Sequence, residues 1–182
     1  MPVLSYRLVI PPSQETLSMS SDPRERFDTS QRPPAPTPLN IHYHSDKRTL
    51  ELSYAKEDIN AQEGGTADEE WLADQPAGER CHFLLAVELL RVFSPSAEVR
   101  GHSPDQAVLQ VGKRDVGLLN IEAVGNYAIK LFFDDGHDSG IYSWAFLFEL
   151  CQHQQAWWQH YLKELEAAGA SRAPLGIQVK QL

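Results

Sequence analysis

The amino-acid sequence predicts an α+β domain: a small antiparallel-rich sheet, packed by a C-terminal aromatic helix, with element order ββαβββα. Three observations support this prediction. Two short runs that alternate apolar and polar residues flank a polar turn. Two longer apolar runs are joined by Gly125 and Asn126, a pair that suits a tight hairpin. Residues 143–169 repeat large apolar side chains at helical spacing.

The first predicted elements are two strands and a helix. Residues 39–43 and 50–54 alternate apolar with polar side chains, and the polar turn between them predicts a hairpin. Residues 83–92 are apolar at helical spacing and stop before Pro95, a residue that a helix interior does not tolerate. We therefore expect a helix to follow the hairpin.

Three further strands are predicted in the second half of the chain. Residues 107–111 form a short apolar run, and residues 116–124 and 127–133 form two longer runs. The Gly-Asn pair between the longer runs favours the positive φ of a primed turn, so these two strands should form a second hairpin.

The last predicted helix begins at Ser143, whose hydroxyl can cap the first turn, and closes at Gly169. Its apolar stripe consists of Trp144, Leu147, Phe148, Cys151, Trp158, Tyr161 and Leu165. Trp157 departs from this stripe. We therefore expect the Trp157 side chain to be exposed and to contribute to a partner surface.

Composition limits the class of protein. The chain has 182 residues, 42% of them hydrophobic and 23% charged, which suits one ordinary domain with extensions. Its net charge of -9 disfavours binding to nucleic acid or anionic lipid. No apolar run approaches membrane-spanning length, and the first ten residues lack the apolar core of a secretory signal. Cys81 and Cys151 suit a reducing compartment as two unpaired thiols, so we expect a cytoplasmic protein.

The chain divides into a domain and three polar segments. Residues 1–37 are rich in proline and predict a disordered leader, although residues 3–10 alternate and could instead add an edge strand. The domain is expected at residues 38–172. Residues 57–80 hold eight acidic residues and one basic residue, which predicts a solvated acidic insert. Residues 173–182 form a short polar tail.

Several ionisable side chains are concentrated in residues 134–140, which read Asp-Asp-Gly-His-Asp-Ser-Gly. Three carboxylates and the His137 imidazole could bind a metal ion or transfer protons. Asp and Gly are also the residues that tight turns use after a strand. Both interpretations stay open on these residues alone.

Other histidines carry weaker signals. His42 and His44 fall on one strand face, but no third metal ligand is evident nearby, so we expect two solvent-facing side chains. Cys81 precedes His82, which suggests a thiolate–imidazole pair, yet no third group accompanies them. The phosphate-binding and nucleophile-elbow motifs of common enzymes do not occur in the sequence.

Three motifs in order resemble a known family. They read L-R-V-F-S-P-S-A-E-V at residues 90–99, V-G-N-Y-A at residues 124–128 and D-G-H-D-S-G-I-Y-S-W at residues 135–144. The chain resembles the gamma-butyrobetaine hydroxylase-like N-terminal domain family, long catalogued as a domain of unknown function, in its stand-alone bacterial type. The resemblance covers about residues 38–172.

The resemblance also implies the fate of a metal site. In the carnitine-pathway dioxygenases this domain holds a structural zinc through C-x-C-x-x-C and a later histidine. The matching positions here are Ser94, Ser96 and Val99, with His137 at the histidine. Because thiolates supply most of the charge that holds structural zinc, we expect this site to be lost and no cofactor to bind. Zinc or iron remains a possibility at the level of the family.

The resemblance implies a function class as well. The catalytic barrel of the dioxygenases does not occur in this sequence, so the chain is not expected to be an enzyme. Similar domains occur alone and fused to Mrp-like iron–sulfur carrier ATPases. We therefore expect a non-catalytic interaction module that serves iron–sulfur or metalloenzyme assembly. The expected partner is an iron–sulfur carrier or a metalloenzyme, and the interaction residues proposed from the sequence are Arg91, Arg100, His102, Asp135 and Trp157.

Two alternatives remain at this point. The protein could bind iron or zinc through His137 together with Asp135, Asp138 or His102. It could also be a small enzyme built on the same loop, but a nucleophile, a base and a stabilising group do not converge in the sequence. The accessory module is the preferred interpretation.

Overall fold

A computed structural model of the chain describes residues 35–60, 80–101 and 106–174. Within these ranges two three-stranded antiparallel sheets pack with one long helix, so the α+β class is confirmed. The described elements are β1 (Asn40–His44), β2 (Thr49–Ala55), α1 (Lys56–Asn60), β3 (Arg80–Ala86), α2 (Val87–Val92), α3 (Ala97–Arg100), β4 (Leu118–Val124), β5 (Ala128–Phe133), β6 (Ile141–Ser143) and α4 (Trp144–Ala167).

The first sheet has the strand order β1-β2-β3. The predicted hairpin of β1 and β2 is confirmed, with Ile41 opposite Leu52. The apolar set of β2, Leu50, Leu52 and Tyr54, is buried, whereas the alternating Glu51 lies on the other face. This alternation is why the sequence forms a sheet with one face in the core.

The predicted helix at residues 83–92 is only half correct. Residues up to Ala86 belong to β3, which pairs with β2 and places Phe83 opposite Leu52. Cys81, Phe83 and Leu85 alternate into the core, and only Val87–Val92 is helical. The apolar run satisfies both periodicities, and the open edge of β2 decides in favour of a strand because it supplies backbone partners.

The second sheet has the order β4-β5-β6. The predicted hairpin of β4 and β5 is confirmed, and Gly125 in its turn has φ +55°. The strand predicted at residues 107–111 is wrong, because this stretch is irregular and belongs to neither sheet. Its Val108 N–H donates to the Val99 carbonyl at 2.9 Å. β6 was not predicted, and it adds only Ile141–Ser143 to the sheet.

Helix α4 covers the core and contacts both β3 and β6. Ser143 Oγ accepts the Phe146 N–H at 3.2 Å, and Gly169 just past the end has φ +59°, so both predicted termini are confirmed. No helix within the described ranges is long and apolar enough to cross a membrane.

The expected exposure of Trp157 is wrong. Trp157 is only 1% exposed and its ring lies 4.7 Å from that of Phe93 and 5.9 Å from that of Phe146. α4 has non-helical backbone at His153, where φ is -125° and ψ is 23°. Beyond it, Trp157 lies four residues before Tyr161 and eight before Leu165, both of them buried, so Trp157 shares their core-facing side of the helix. The predicted stripe chose the neighbouring Trp158, which is only partly buried.

Some predictions fall where the structure gives no description. The leader lies outside the described residues as far as residue 34, as do most of the acidic insert (residues 61–79) and residues 175–182 of the tail. His102 also lies outside the described residues. The predictions made for these segments therefore remain predictions.

Candidate functional site

Residues 134–140, called the DGH loop below, form a tight turn after β5. Gly136 has φ +85°, and its N–H donates to the Phe133 carbonyl at 3.2 Å. The His137 N–H donates to Asp135 Oδ1 at 3.2 Å, while the His137 carbonyl accepts from Phe133 N–H at 3.0 Å. Glycine at Gly136 suits a backbone conformation that other residues adopt at a cost. The turn interpretation of this loop is therefore supported.

The turn directs the His137 side chain into the protein. The imidazole is almost fully buried, and its Nε2 lies 2.8 Å from Ser94 Oγ. Its Nδ1 lies 3.4 Å from a carboxylate oxygen of Glu98. Burial, followed by the positive charge of Arg91, lowers the pKa of His137 below its ordinary value of 6.5. The lowered pKa favours the neutral imidazole. With Nδ1–H directed toward Glu98, His137 Nε2 accepts a hydrogen bond from the Ser94 hydroxyl.

Ser94 and Ser96 lie between α2 and α3, and Val99 lies within α3. All three are buried, and Ser94 has no exposed surface. The Ser96 hydroxyl has no hydrogen-bond partner among the described residues. Gly140 closes over Ser94 so tightly that an added Cβ would lie 2.4 Å from Ser94 Oγ. The fold therefore brings Ser94 and His137 together across 43 positions of sequence.

Arg91 and Asp135 form a second polar cluster beside His137. Arg91 Nε donates to Asp135 Oδ2 at 2.8 Å, its Nη1 donates to Gln110 at 3.1 Å, and Lys113 also donates to Asp135. Burial would raise the pKa of Asp135, but the hydrogen bond from Lys113 and the charge of Arg91 hold it below its ordinary value. Because these groups satisfy one another, Arg91 and Asp135 stabilise the loop, and buried Arg91 offers little surface to a partner.

Ser94, His137 and Glu98 have the order of a nucleophile, a base and an orienting acid. The geometry does not support catalysis, because Ser94 is inaccessible and the adjoining cavity, lined by Ser94, Val99 and Trp157, measures only about 10 Å³. Small-molecule sites are usually about 300–1,000 Å³. Glu98 is also 73% exposed, so it orients the ring weakly. The contacts of His137 with Ser94 and Glu98 are therefore structural.

The same residues fit a metal ion poorly. No group of three His, Cys, Asp or Glu residues in the described part of the chain is arranged to hold one. Asp138 lies 3.7 Å from Lys130, and Asp135 is occupied by Arg91 and Lys113. The zinc of the related dioxygenases would meet two hydroxyls and Val99 where it needs thiolates. The residues present therefore do not fit that zinc.

Sequence reasoning missed a cluster on the outer face of the first sheet. Glu51 accepts from His44 and His82, each at 2.7 Å, and Ser53 lies 3.0 Å from the same His82 nitrogen. His44 is thus not simply solvent-facing, and His82 pairs with Glu51 rather than with Cys81. Burial raises the pKa of the Cys81 thiol, which opposes a reactive thiolate. Only the register of β3 could have revealed this cluster.

A partly buried ion pair was also missed. Arg172 Nε donates to Glu88 Oε1 at 2.9 Å and its Nη2 donates to Oε2, which ties the C-terminal segment to α2. The Arg172 guanidinium also stacks 4.5 Å above the Trp158 ring. Sequence offered no signal for this pair, because the two residues lie 84 positions apart.

The comparisons with known proteins agree with this fold. The model of the family described as "Gamma-butyrobetaine hydroxylase-like, N-terminal" matches residues 41–148. One protein with an NMR solution structure is 41% identical, with 82% of this chain and 99% of that chain covered and a TM-score of 0.58. A second NMR structure is 37% identical, with 85% and 96% covered and a TM-score of 0.56.

A crystal structure of a protein with unknown function, of the DUF971 family from Acidithiobacillus ferrooxidans, is 25% identical over 63% of this chain and 91% of that chain, with a TM-score of 0.37. A search of curated proteins finds no match to this chain. The family model detects the N-terminal domain and not the catalytic dioxygenase domain. The match spans more than half of the sequence and includes all three motifs that carried the resemblance. The chain belongs to the gamma-butyrobetaine hydroxylase-like N-terminal domain family.

Proposed function

We propose that this protein is a non-catalytic accessory module that binds a protein partner. The observation that carries the proposal is the sealed Ser94–His137 contact at the centre of the family motifs. The motif side chains Ser94 and His137 bond to each other inside the domain, so their role is to stabilise its fold rather than to act on a substrate. A domain of this kind acts through its surface.

The partner class we propose is an iron–sulfur carrier or a metalloenzyme. This part of the proposal is supported by the family resemblance, since similar domains are fused to Mrp-like iron–sulfur carrier ATPases or precede a dioxygenase barrel. A domain fused to a carrier in one protein is suited to bind a separate carrier in another. The net charge of -9 favours a partner whose contact surface is basic.

The test is a binding titration between purified proteins. The full chain is titrated into an Mrp-like iron–sulfur carrier ATPase, with and without its cluster, and into a dioxygenase barrel that lacks its own N-terminal domain. We expect saturable binding to one of them with a Kd of roughly 1–100 μM, the range of transient contacts. Failure of all three titrations to saturate would refute the proposed partner class.

A separate control tests the non-catalytic part of the proposal. A fluorophosphonate probe labels serines that a histidine activates, so we expect no labelling of the native chain because Ser94 is sealed. The matched variant is Ser94→Ala. Labelling of the native chain that this variant abolishes would show that Ser94 is an accessible nucleophile and would contradict the proposal.

A further inference from the structure

We infer that the Ser94–His137 hydrogen bond closes the DGH loop in this chain in place of a metal ion, so that the domain reaches its full stability without zinc. The inference is independent of the partner proposed above. It explains why two hydroxyls and a valine occupy positions where the related dioxygenases carry zinc-binding thiolates.

The donor set is the first argument. Structural zinc is held by four nitrogen or sulfur ligands, and the thiolates among them neutralise its charge. Here His137 is the one such ligand, because Ser94 and Ser96 offer neutral hydroxyls and Val99 is a buried apolar side chain. A dication between Ser94 and His137 Nε2 would lie in a buried place among neutral donors, which is costly. The Glu98 carboxylate lies at the other ring nitrogen, Nδ1, and is 73% exposed.

The surrounding charge is the second argument. Buried Arg91 donates from Nε to Asp135 Oδ2 at 2.8 Å, and Asp135 Oδ1 accepts the His137 backbone N–H, so a fixed positive charge lies beside the loop that carries His137. A zinc ion bound to His137 would be repelled by this guanidinium. The Asp135 carboxylate is already bonded to the Arg91 and Lys113 side chains. The fixed charge of Arg91 therefore disfavours a dication at His137.

The packing shows how the hydrogen bond can close the loop. Gly140 covers Ser94 with no room for a methyl group, and Tyr142 just beyond it donates its hydroxyl to the Leu90 carbonyl at 2.8 Å. These two contacts hold residues 140–142 against the segment that runs from Leu90 to Ser94, next to the Ser94–His137 bond. The Ser96 hydroxyl is buried and has no hydrogen-bond partner among the described residues. Ser96 therefore takes no part in closing the loop, although it matches a zinc-binding cysteine of the family.

The first experiment uses the full chain and a thermodynamic cycle. Zinc is measured by elemental analysis, and thermal unfolding is recorded with and without excess chelator. We expect well under about 0.1 zinc per chain and a Tm unchanged by chelator to within about 1 °C. Ser94→Ala and His137→Ala should each lower the Tm, and the double variant should lower it no further than the larger single change, because both remove the same bond.

A gain-of-metal variant provides the second experiment. Ser94→Cys, Ser96→Cys and Val99→Cys together should bind about one zinc per chain and should make the Tm sensitive to chelator. Near-stoichiometric zinc in the native chain, lost in His137→Ala, would overturn the inference. Additive effects of Ser94→Ala and His137→Ala would overturn the closure role, and a folded triple variant that takes no zinc would show that these positions do not converge on one site.

Discussion

Replacing Gly140 by alanine should destabilise the domain strongly because the new methyl group would overpack the end of the DGH loop against Ser94. The new Cβ would lie 2.4 Å from Ser94 Oγ, 3.0 Å from Tyr142 Cε2 and 3.4 Å from Pro95 Cδ. Overpacking of a core costs about 1–3 kcal/mol. Ser94 can move aside only by breaking its 2.8 Å bond to His137, which adds about 1 kcal/mol. We expect Gly140→Ala to lower the free energy of unfolding by about 2–4 kcal/mol.

Gly136 in the same loop is the matched control. A Cβ added at Gly136 would meet nothing within 4 Å. Gly136→Ala should therefore lower the free energy of unfolding only through the strain of a φ of +85°, by about 1 kcal/mol. Gly136→Asn should cost less, since asparagine tolerates this region, whereas Gly140→Asn should be at least as damaging as Gly140→Ala. Denaturant unfolding monitored by tryptophan fluorescence measures all four variants. Equal losses for Gly136→Ala and Gly140→Ala would refute the packing argument.

Three further outcomes are expected, for the buried Trp157 ring, for the partly buried ion pair of Glu88 and Arg172, and for the Glu51 carboxylate of the first sheet. Trp157→Ala should lower the free energy of unfolding by about 3–5 kcal/mol because Trp157 is 1% exposed, whereas Trp158→Ala should lower it by less because Trp158 is half-buried. The reverse order would contradict the burial of Trp157. Arg172→Ala should lower the free energy of unfolding by about 2–3 kcal/mol because it leaves the buried Glu88 carboxylate without its ionic partner. The loss is smaller than for a fully buried pair because Arg172 is 35% exposed. An unchanged unfolding midpoint would show that water replaces Arg172 as the partner of Glu88. Hydrogen bonds from His44 and His82 lower the pKa of Glu51. The stabilisation by the Glu51 carboxylate is therefore present above its ordinary pKa of 4.5 and is lost as pH falls through the lower folded-state pKa. Glu51→Gln should flatten the dependence of Tm on pH in that acid range, and an unchanged dependence would refute the pairing.

Much of the fold could be read from local pattern. The hairpin of β1 and β2, the hairpin of β4 and β5, and both ends of α4 rest on alternation, on Gly125 and on Ser143. These signals act within a few residues, so a sequence states them directly. Residues 80–86 show the limit, because an apolar run can form a helix or a strand until a neighbouring edge supplies its hydrogen bonds.

The candidate site divides in the same way. Sequence located the DGH loop, and the family resemblance aligned Ser94, Ser96, Val99 and His137 without showing which of them touch. It could not show that Arg91 is buried against Asp135, so these two looked available to a partner. Burial depends on what a distant segment places over a side chain, and residue type alone does not report it.

By itself the sequence determined the α+β class, the two hairpins and the capped final helix, because each follows from periodicity or turn chemistry. That Ser94, Ser96 and Val99 stand where relatives carry thiolates is what the family resemblance implies. Only the tertiary structure decided that Trp157 faces the core, that Glu88 meets Arg172 and that Ser94 closes on His137. Those three outcomes depend on contacts between residues far apart in the chain, such as Trp157 with Phe93. Such contacts form only when the packed core brings their elements together, so no local pattern encodes them.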